Sequence, residues 1–241
     1  MHLTQNWEIR KPGVSSPGGI VASQSATAAR VGAEGLAAGG TAVDAAVATA
    51  FALAAVEPWN SGLGGIGFMV VHQAGAERAE VVDFGPISPG GLDPAVFPLT
   101  GGMRTELFTW AQVVGDRNMH GPLSFVVPSA VRGYALALER FGRMPWRELV
   151  APAAVLAKAG LPIDWFTTLK VASAAADLRR YDESRRIWLP DGLPPISPPD
   201  ADSVSLSMVS ARRPRGRLTL SASGGLIGGR PSGSQMRRLS S

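Results

Sequence analysis

Thirteen residues, Glu57-Pro58-Trp59-Asn60-Ser61-Gly62-Leu63-Gly64-Gly65-Ile66-Gly67-Phe68-Met69, constrain the fold more than any other part of the chain. They place a glycine cluster between an alanine-rich helical pattern and an apolar strand pattern. Gly62 to Gly67 satisfy the spacing G-x-G-x-x-G, and Asp83 follows at a distance that suits a ribose-binding acid. A dinucleotide site needs a strand before its glycines and a helix after them, so that pyrophosphate meets a helix N-terminus. Here the order is helix, glycines, strand, which excludes that site and leaves close backbone packing at the start of a strand.

The residues before the cluster read as two helices. Ser23 is the expected cap of a helix through Leu36, stopped by Gly39-Gly40 with a left-handed residue. Thr41 and Asp44, three residues apart, form a capping-box start for a second helix, with apolar coverage from Ala42 to Phe51. After the cluster, Phe68–His72 and Glu80–Asp83 flank Ala74-Gly75-Ala76 and predict two antiparallel strands. A loop-rich segment is expected from Gly85 to Leu123 and a short extended piece at Ser124–Pro128. Ser129 is the expected cap of an amphipathic helix carrying Val131, Tyr134, Ala135, Leu138 and Phe141 on one side and ended by Gly142. Pro145 suits the first turn of a helix through Lys158 with an interruption at Pro152, and Asp164 is the expected cap of a run to Tyr181. The whole is a mixed α/β pattern up to about Pro199.

Five motifs follow one another along the chain: Gly39-Gly40-Thr41-Ala42-Val43-Asp44, the glycine cluster itself with Ile66 in place of one glycine, Val127-Pro128 leading to Val131-Arg132-Gly133-Tyr134, Phe141-Gly142-Arg143-Met144-Pro145-Trp146, and Ala151-Pro152-Ala153 through Gly160. Together they resemble the large-subunit portion of the gamma-glutamyltranspeptidase family, a branch of the N-terminal nucleophile hydrolases. The resemblance covers roughly residues 12 to 195. It implies an α/β fold, the four-layer αββα sandwich of N-terminal nucleophile hydrolases, present here in incomplete form because the small subunit is absent. It also implies amide-bond chemistry on a small-molecule gamma-glutamyl or other amide substrate, by a threonine at the start of a small subunit released by self-cleavage. That subunit of the same precursor is the implied partner, and nothing in this chain matches the nucleophile. The chain alone is therefore expected to be inactive, a scaffold without catalytic residues.

One departure from the family pattern bears on substrate. Where gamma-glutamyl-processing members carry an arginine that pairs with the substrate α-carboxylate, the matching residue in Asp83-Phe84-Gly85-Pro86 is Gly85. A guanidinium binds a carboxylate through two parallel hydrogen bonds, and glycine offers no cation. An acylase-like substrate is one resolution, and a replacement cation is the other. Arg117, in the polar loop Gly115-Asp116-Arg117-Asn118-Met119-His120, is the first candidate, with Asn118 and His120 as further substrate-binding candidates and Arg104 as second choice. Asp116 pairing locally with Arg117 is the alternative. His120 shows no acid or metal partner in the sequence.

Other chemistry is excluded or disfavoured. The chain has no cysteine, so disulfides and thiol chemistry are absent. His2, His72 and His120 are scattered without ligand spacing, so no metal site is expected, and no cofactor motif is present. Thr167-Thr168 imitates a threonine pair at a cleavage site but falls in a helical pattern, where no free α-amino group is available to act as base. The N-terminal residues show no signal-like apolar run and no later stretch reaches membrane-spanning length, which gives an expectation of a cytoplasmic protein without membrane contact.

The computed pI of about 10.1 is not a nucleic-acid signature of the main body. Residues 1–200 carry 16 basic and 18 acidic side chains, a net −2, and residues 201–241 carry seven and one, a net +6. Two segments are accordingly expected: the family-like part at 1–199 and a Ser/Arg/Gly-rich tail at 200–241. Arginine outnumbers lysine 20 to 3, which suits a GC-rich gene and the reading of this tail as a shifted frame. A natural disordered tail is the rival reading.

Overall fold

The computed structural model describes residues 13–105, 108–195 and 205–206. Expectations for the tail lie outside the described residues, apart from the pair 205–206. The described residues form an α/β structure. In chain order they give α1 (Ala26–Ala37), α2 (Ala42–Val56), β1 (Gly67–Val71), β2 (Glu80–Phe84), β3 (Leu99–Thr105), β4 (Thr109–Val113), α3 (Ala130–Phe141) and α4 (Trp146–Ala159). The short β5 (Leu161–Pro162), α5 (Trp165–Ser173), α6 (Ala175–Leu178), α7 (Asp182–Trp188) and β6 (Ser205–Leu206) follow.

Helix α1 is capped by Ser25, whose hydroxyl accepts from Ala28 N at 3.3 Å. Ser23, the expected cap, instead donates its hydroxyl to Ser25 O at 2.7 Å and shapes the approach to the helix. Gly39 ends the helix at φ +91°, a conformation that costs glycine nothing. Helix α2 starts on the expected capping box, with Thr41 and Asp44 each bonded to the other's backbone N–H. Helices α1 and α2 approach closely over small residues. A Cβ on Gly32 would lie 2.1 Å from Thr49 Oγ1 and 2.9 Å from Ala45 O, so only glycine fits there.

Strands β1 and β2 pair antiparallel, with Met69 opposite Val82 and Val70 opposite Val81. Alternation sends Met69, Val71, Val82 and Phe84 to one face, where they pack with Val43, Val47 and Phe51 of α2 and Ala130 and Ala137 of α3. The opposite face carries Phe68, Val70 and Val81, which are 72%, 60% and 48% exposed. Among the described residues the sheets are two-stranded pairs, so the αββα sandwich is represented in part: helices cover one face of the β1–β2 hairpin and the other face is open.

The segment expected to be a loop from Gly85 to Leu123 contains a further hairpin, β3–β4, with Arg104 opposite Trp110 and a register shift between Leu99 and Met103. Gly101, at φ +83°, lies in that shift and interrupts the alternation that would have revealed the strand. Helix α3 differs from its expected pattern in two ways. Ser129 precedes it but makes no side-chain cap bond, and its hydroxyl donates instead to Phe84 O at 2.6 Å. Its fully buried positions are the small residues Ala130, Gly133 and Ala137, while Val131 is exposed. Tyr134 lies edge-on to both Phe51 and Phe84 with ring centroids 5.5 Å apart in each case.

Pro145 caps α4 rather than occupying its first turn, and the helix continues through Pro152. Asp164 caps α5 as expected, accepting from Thr167 N at 2.7 Å. The run to Tyr181 is broken at Ala174, and α6 and α7 are separate short helices.

Candidate functional site

The glycine cluster forms the joint between α2, the β1–β2 hairpin and α3. Gly65 N donates to Gly62 O at 3.0 Å, closing a tight turn in which a Cβ on Gly65 would sit 2.8 Å from that same oxygen. Gly65 O then accepts from Ser129 N at 3.2 Å and Ala130 N at 3.0 Å, supplying the start of α3 with a backbone acceptor. Gly67 and Gly133 lie against opposite sides of one ring. A Cβ would come within 3.0 Å of Phe84 Cε2 at Gly67 and within 2.2 Å of Phe84 Cδ1 at Gly133. These glycines therefore make room for Phe84, and the cluster has the packing role expected from its order.

Phe84 in turn fixes the end of β2, where the candidate substrate segment begins. Its carbonyl holds the Ser129 hydroxyl, Gly85 N donates to Asp83 Oδ1 at 2.8 Å, and Val127 N donates to Ile87 O at 2.9 Å. Between the glycine turn, α2 and α3, Asn60, Ser61, Gly62, Gly65, Ala130 and Tyr134 contribute to a cavity of about 260 Å³. At Gly85 the chain presents a backbone amide tied to Asp83 and no positive group. A Cβ there would meet Asp83 Oδ1 at 3.0 Å.

The polar loop after β4 is organised differently from expectation. Asp116 does not pair with its neighbour Arg117; its carboxylate takes Arg104 Nη1 at 2.8 Å. Asp116 itself sits at φ +50°, which Asp tolerates better than most residues, and its carbonyl accepts from Met119 N and His120 N. Arg117 Nη1 donates to Val96 O at 3.3 Å. Asn118 Oδ1 is buried without a hydrogen-bond partner. His120 has an acid beside it after all: Nε2 lies 3.5 Å from Asp177 Oδ1 on α6, a residue 57 positions away that sequence spacing does not link to it. Of the cations considered as replacements, Arg104 is thus held by Asp116, and Arg117 is directed to the turn before β3.

The Asp44 carboxylate accepts hydrogen bonds from Thr41, Arg143 and Met144. It is fully buried, and burial acts to raise its pKa. Hydrogen bonds from Thr41 N at 2.7 Å, Arg143 N at 3.0 and 3.1 Å, Thr41 Oγ1 at 2.9 Å and Met144 N at 3.2 Å outweigh that effect and hold the carboxyl below its ordinary range. The carboxylate joins the start of α2 to the turn between α3 and α4, which is a structural task. Thr167 and Thr168 are in α5 as expected, with Thr167 buried and the Thr168 hydroxyl donating to Pro195 O at 2.8 Å. No cluster of His, Asp and Glu suited to a metal ion occurs among the described residues.

A profile of the gamma-glutamyltranspeptidase family matches residues 28–197. The chain belongs to the gamma-glutamyltranspeptidase family. It is 32% identical over 179 residues to the glutathione hydrolase proenzyme of Bacillus subtilis (strain 168), covering 73% of this chain and 28% of that protein. It is 31% identical over 233 residues to the acylase ACY 1 proenzyme of Pseudomonas sp. (strain V22), covering 90% of this chain and 41% of that one. The crystal structure of Helicobacter pylori gamma-glutamyltranspeptidase superposes with a TM-score of 0.68 at 28% identity, over 77% of this chain and 51% of that chain. The chain thus spans well under half the length of these two curated relatives. The match to the acylase covers more than residues 1–200 hold, 200 of 241 being 83%, so it runs into the residues after 200.

Within this family membership the α/β fold is that of its solved members, over part of their length. No helix of the described residues is long and apolar enough to cross a membrane.

Proposed function

We propose that this chain is the large-subunit part of a self-processing amide-bond enzyme whose substrate is not an ordinary gamma-glutamyl compound. The observation that carries the reading is Gly85. The segment that would offer a guanidinium to a substrate α-carboxylate ends instead in a glycine amide bonded to Asp83. Arg104 and Arg117 are each engaged with other groups, Asp116 and Val96 O. An amide whose acyl group lacks an α-amino acid head needs no such cation, and similarity to both a glutathione hydrolase proenzyme and an acylase proenzyme is compatible with either substrate class.

The nucleophile in this reading is a threonine freed by cleavage of a longer precursor. Its hydroxyl oxygen attacks the amide carbonyl while its own α-amino group takes the hydroxyl proton and backbone donors hold the oxyanion; the C–N bond then breaks, the departing amine takes that proton, and the ester so formed is cleaved by water or a second amine, which regenerates the threonine. This chain by itself is catalytically silent, because its paired threonines are locked in α5. The open face of the β1–β2 hairpin, with Phe68, Val70 and Val81, supports the same view, since an apolar face of this kind is covered in a layered α/β enzyme.

The test compares turnover of a gamma-glutamyl anilide with that of glutaryl and simple acyl anilides by the processed precursor that contains this chain. Faster release from the acyl substrates supports the proposal. Efficient gamma-glutamyl transfer to an acceptor amine would overturn the atypical substrate, and turnover by residues 1–241 alone would overturn the silent large subunit.

A further inference from the structure

Left-handed backbone brackets the polar loop after β4. Gly115 and Asp116, at φ +69° and +50°, stand before Arg117 to His120, and Gly121, at φ +85°, stands after them. Such positions are places about which a segment can turn, and an aspartate held in one is strained unless its surroundings fix it. Two side-chain bonds tie the loop towards β3 and the turn before it, from Asp116 to Arg104 and from Arg117 to Val96 O. His120 reaches the other way, to α6, where its Nε2 lies 3.5 Å from Asp177 Oδ1.

The chemistry of that link makes it depend on pH. An imidazole changes charge between about pH 5 and 8, and only its charged form adds ion pairing to the hydrogen bond it donates. The His120 side chain is 19% exposed, so the pair is partly sheltered from solvent. Asp177 Oδ1 also takes Arg180 Nε at 3.2 Å, on the same side of the pair. When the imidazole becomes neutral the carboxylate therefore still has a cation beside it, and release of His120 strands no charge. The other charged groups of the loop do not substitute for Asp177: Asp116 is occupied by Arg104, and Arg117 is directed to Val96 O. The hold on His120 is thus present in mild acid and lost as pH rises through the histidine range.

We propose that His120 and Asp177 form a pH-sensitive clasp, which docks the loop on α6 in mild acid and releases it in mild alkali. His120 is a positioning residue in this role, because its link to α6 sets where Arg117 and Asn118 stand. Release lets Asp116 leave its left-handed conformation, which breaks the bonds that its carbonyl accepts from Met119 N and His120 N. The inference does not depend on the amide-cleavage reading.

Hydrogen exchange of the full chain at about pH 5.5 and about pH 8 tests it, with each rate corrected for the intrinsic exchange rate at that pH. Peptides that span the loop should be roughly two- to fivefold less protected at the higher pH, the range set by a partly exposed ion pair, while peptides of α1 and α2 stay unchanged. His120→Gln keeps a hydrogen-bond donor and removes the charge, and Asp177→Asn removes the charge on the other side. Each should abolish the pH dependence and leave the loop at the protection that the unaltered chain shows near pH 8. Equal loop protection at the two pH values, a change shared equally by α1 and α2, or a pH dependence that persists in His120→Gln would each overturn the proposal. The comparison of loop and helices in the unaltered chain needs no variant to fold.

Discussion

Replacing Asp44 by asparagine removes a charge without changing shape, and the geometry sets the cost. Oδ2 accepts from Thr41 N, Thr41 Oγ1 and Arg143 N, and Oδ1 accepts from Arg143 N and Met144 N. An amide has one acceptor oxygen. Directed at Thr41, it leaves its NH₂ group facing Met144 N, and a buried donor without an acceptor costs about 1–3 kcal/mol. The retained bonds lose their charge assistance, which takes roughly another 2 kcal/mol. Asp44→Asn is therefore expected to lose about 3–5 kcal/mol, a large part of the roughly 5–15 kcal/mol that stabilises an ordinary domain. Urea unfolding at pH 7, followed by far-ultraviolet circular dichroism, reads this loss. With a slope of about 2 kcal/mol/M the midpoint falls by roughly 1.5–2.5 M. Acid supplies the control. Because the folded-state pKa is depressed, the carboxylate's contribution is complete above the unfolded value near 4 and is lost as pH falls through the folded value. The gap between the two proteins should therefore close below about pH 4. A midpoint shift under about 0.3 M at pH 7, or a gap that stays constant into acid, would refute the reasoning.

Four further outcomes follow from the packing. Gly133→Ala drives a methyl group to within 2.2 Å of Phe84 and should cost about 1–3 kcal/mol in thermal unfolding, with part of the loss recovered when Phe84→Leu is added. Ser129→Ala removes the bond to Phe84 O and should cost about 1 kcal/mol without altering the helix content of α3, since Ser129 is not its side-chain cap. Arg140→Met breaks the pair with Glu80 at the surface and should change stability by less than about 1 kcal/mol. The pair of changes Phe68→Thr and Val70→Thr should leave the melting temperature of the chain nearly unaltered but reduce self-association in sedimentation velocity; a clear fall in melting temperature would mean that these side chains are already packed.

Local signals in the sequence carried the elements whose causes are local. The Thr41 and Asp44 box, the Asp164 cap and the left-handed Gly39 are each settled within a few residues, and each is present as read. The order of helix, glycines and strand was likewise enough to dismiss a dinucleotide site. What was not legible depends on distant partners. Asp44 reads as a cap, yet its other carboxylate bonds go to Arg143 and Met144, about a hundred residues away. Ser129 has the residue type and position of a cap, but its hydroxyl is turned to donate to Phe84 O and makes no cap bond. Gly67 and Gly133 look unrelated until one ring is placed between them. The β3–β4 hairpin escaped notice because Gly101 and the register shift break its alternation. For the candidate site, the Gly85 departure was visible, whereas the commitments of Arg104, Arg117 and His120 were set by Asp116, Val96 and Asp177 in space.

The β1–β2 hairpin has one further consequence. Among the described residues each strand has a single neighbour, so both outer rows of backbone N–H and C=O groups are open, alongside an apolar face. An open row accepts any extended chain that reaches it, including another copy of the same hairpin. Pairing between copies through this edge grows with concentration, and so competes with any covering of the hairpin within one molecule. Slow synthesis and low temperature should favour the productive branch, and the yield of dispersed protein should fall as expression rises even though no residue has changed.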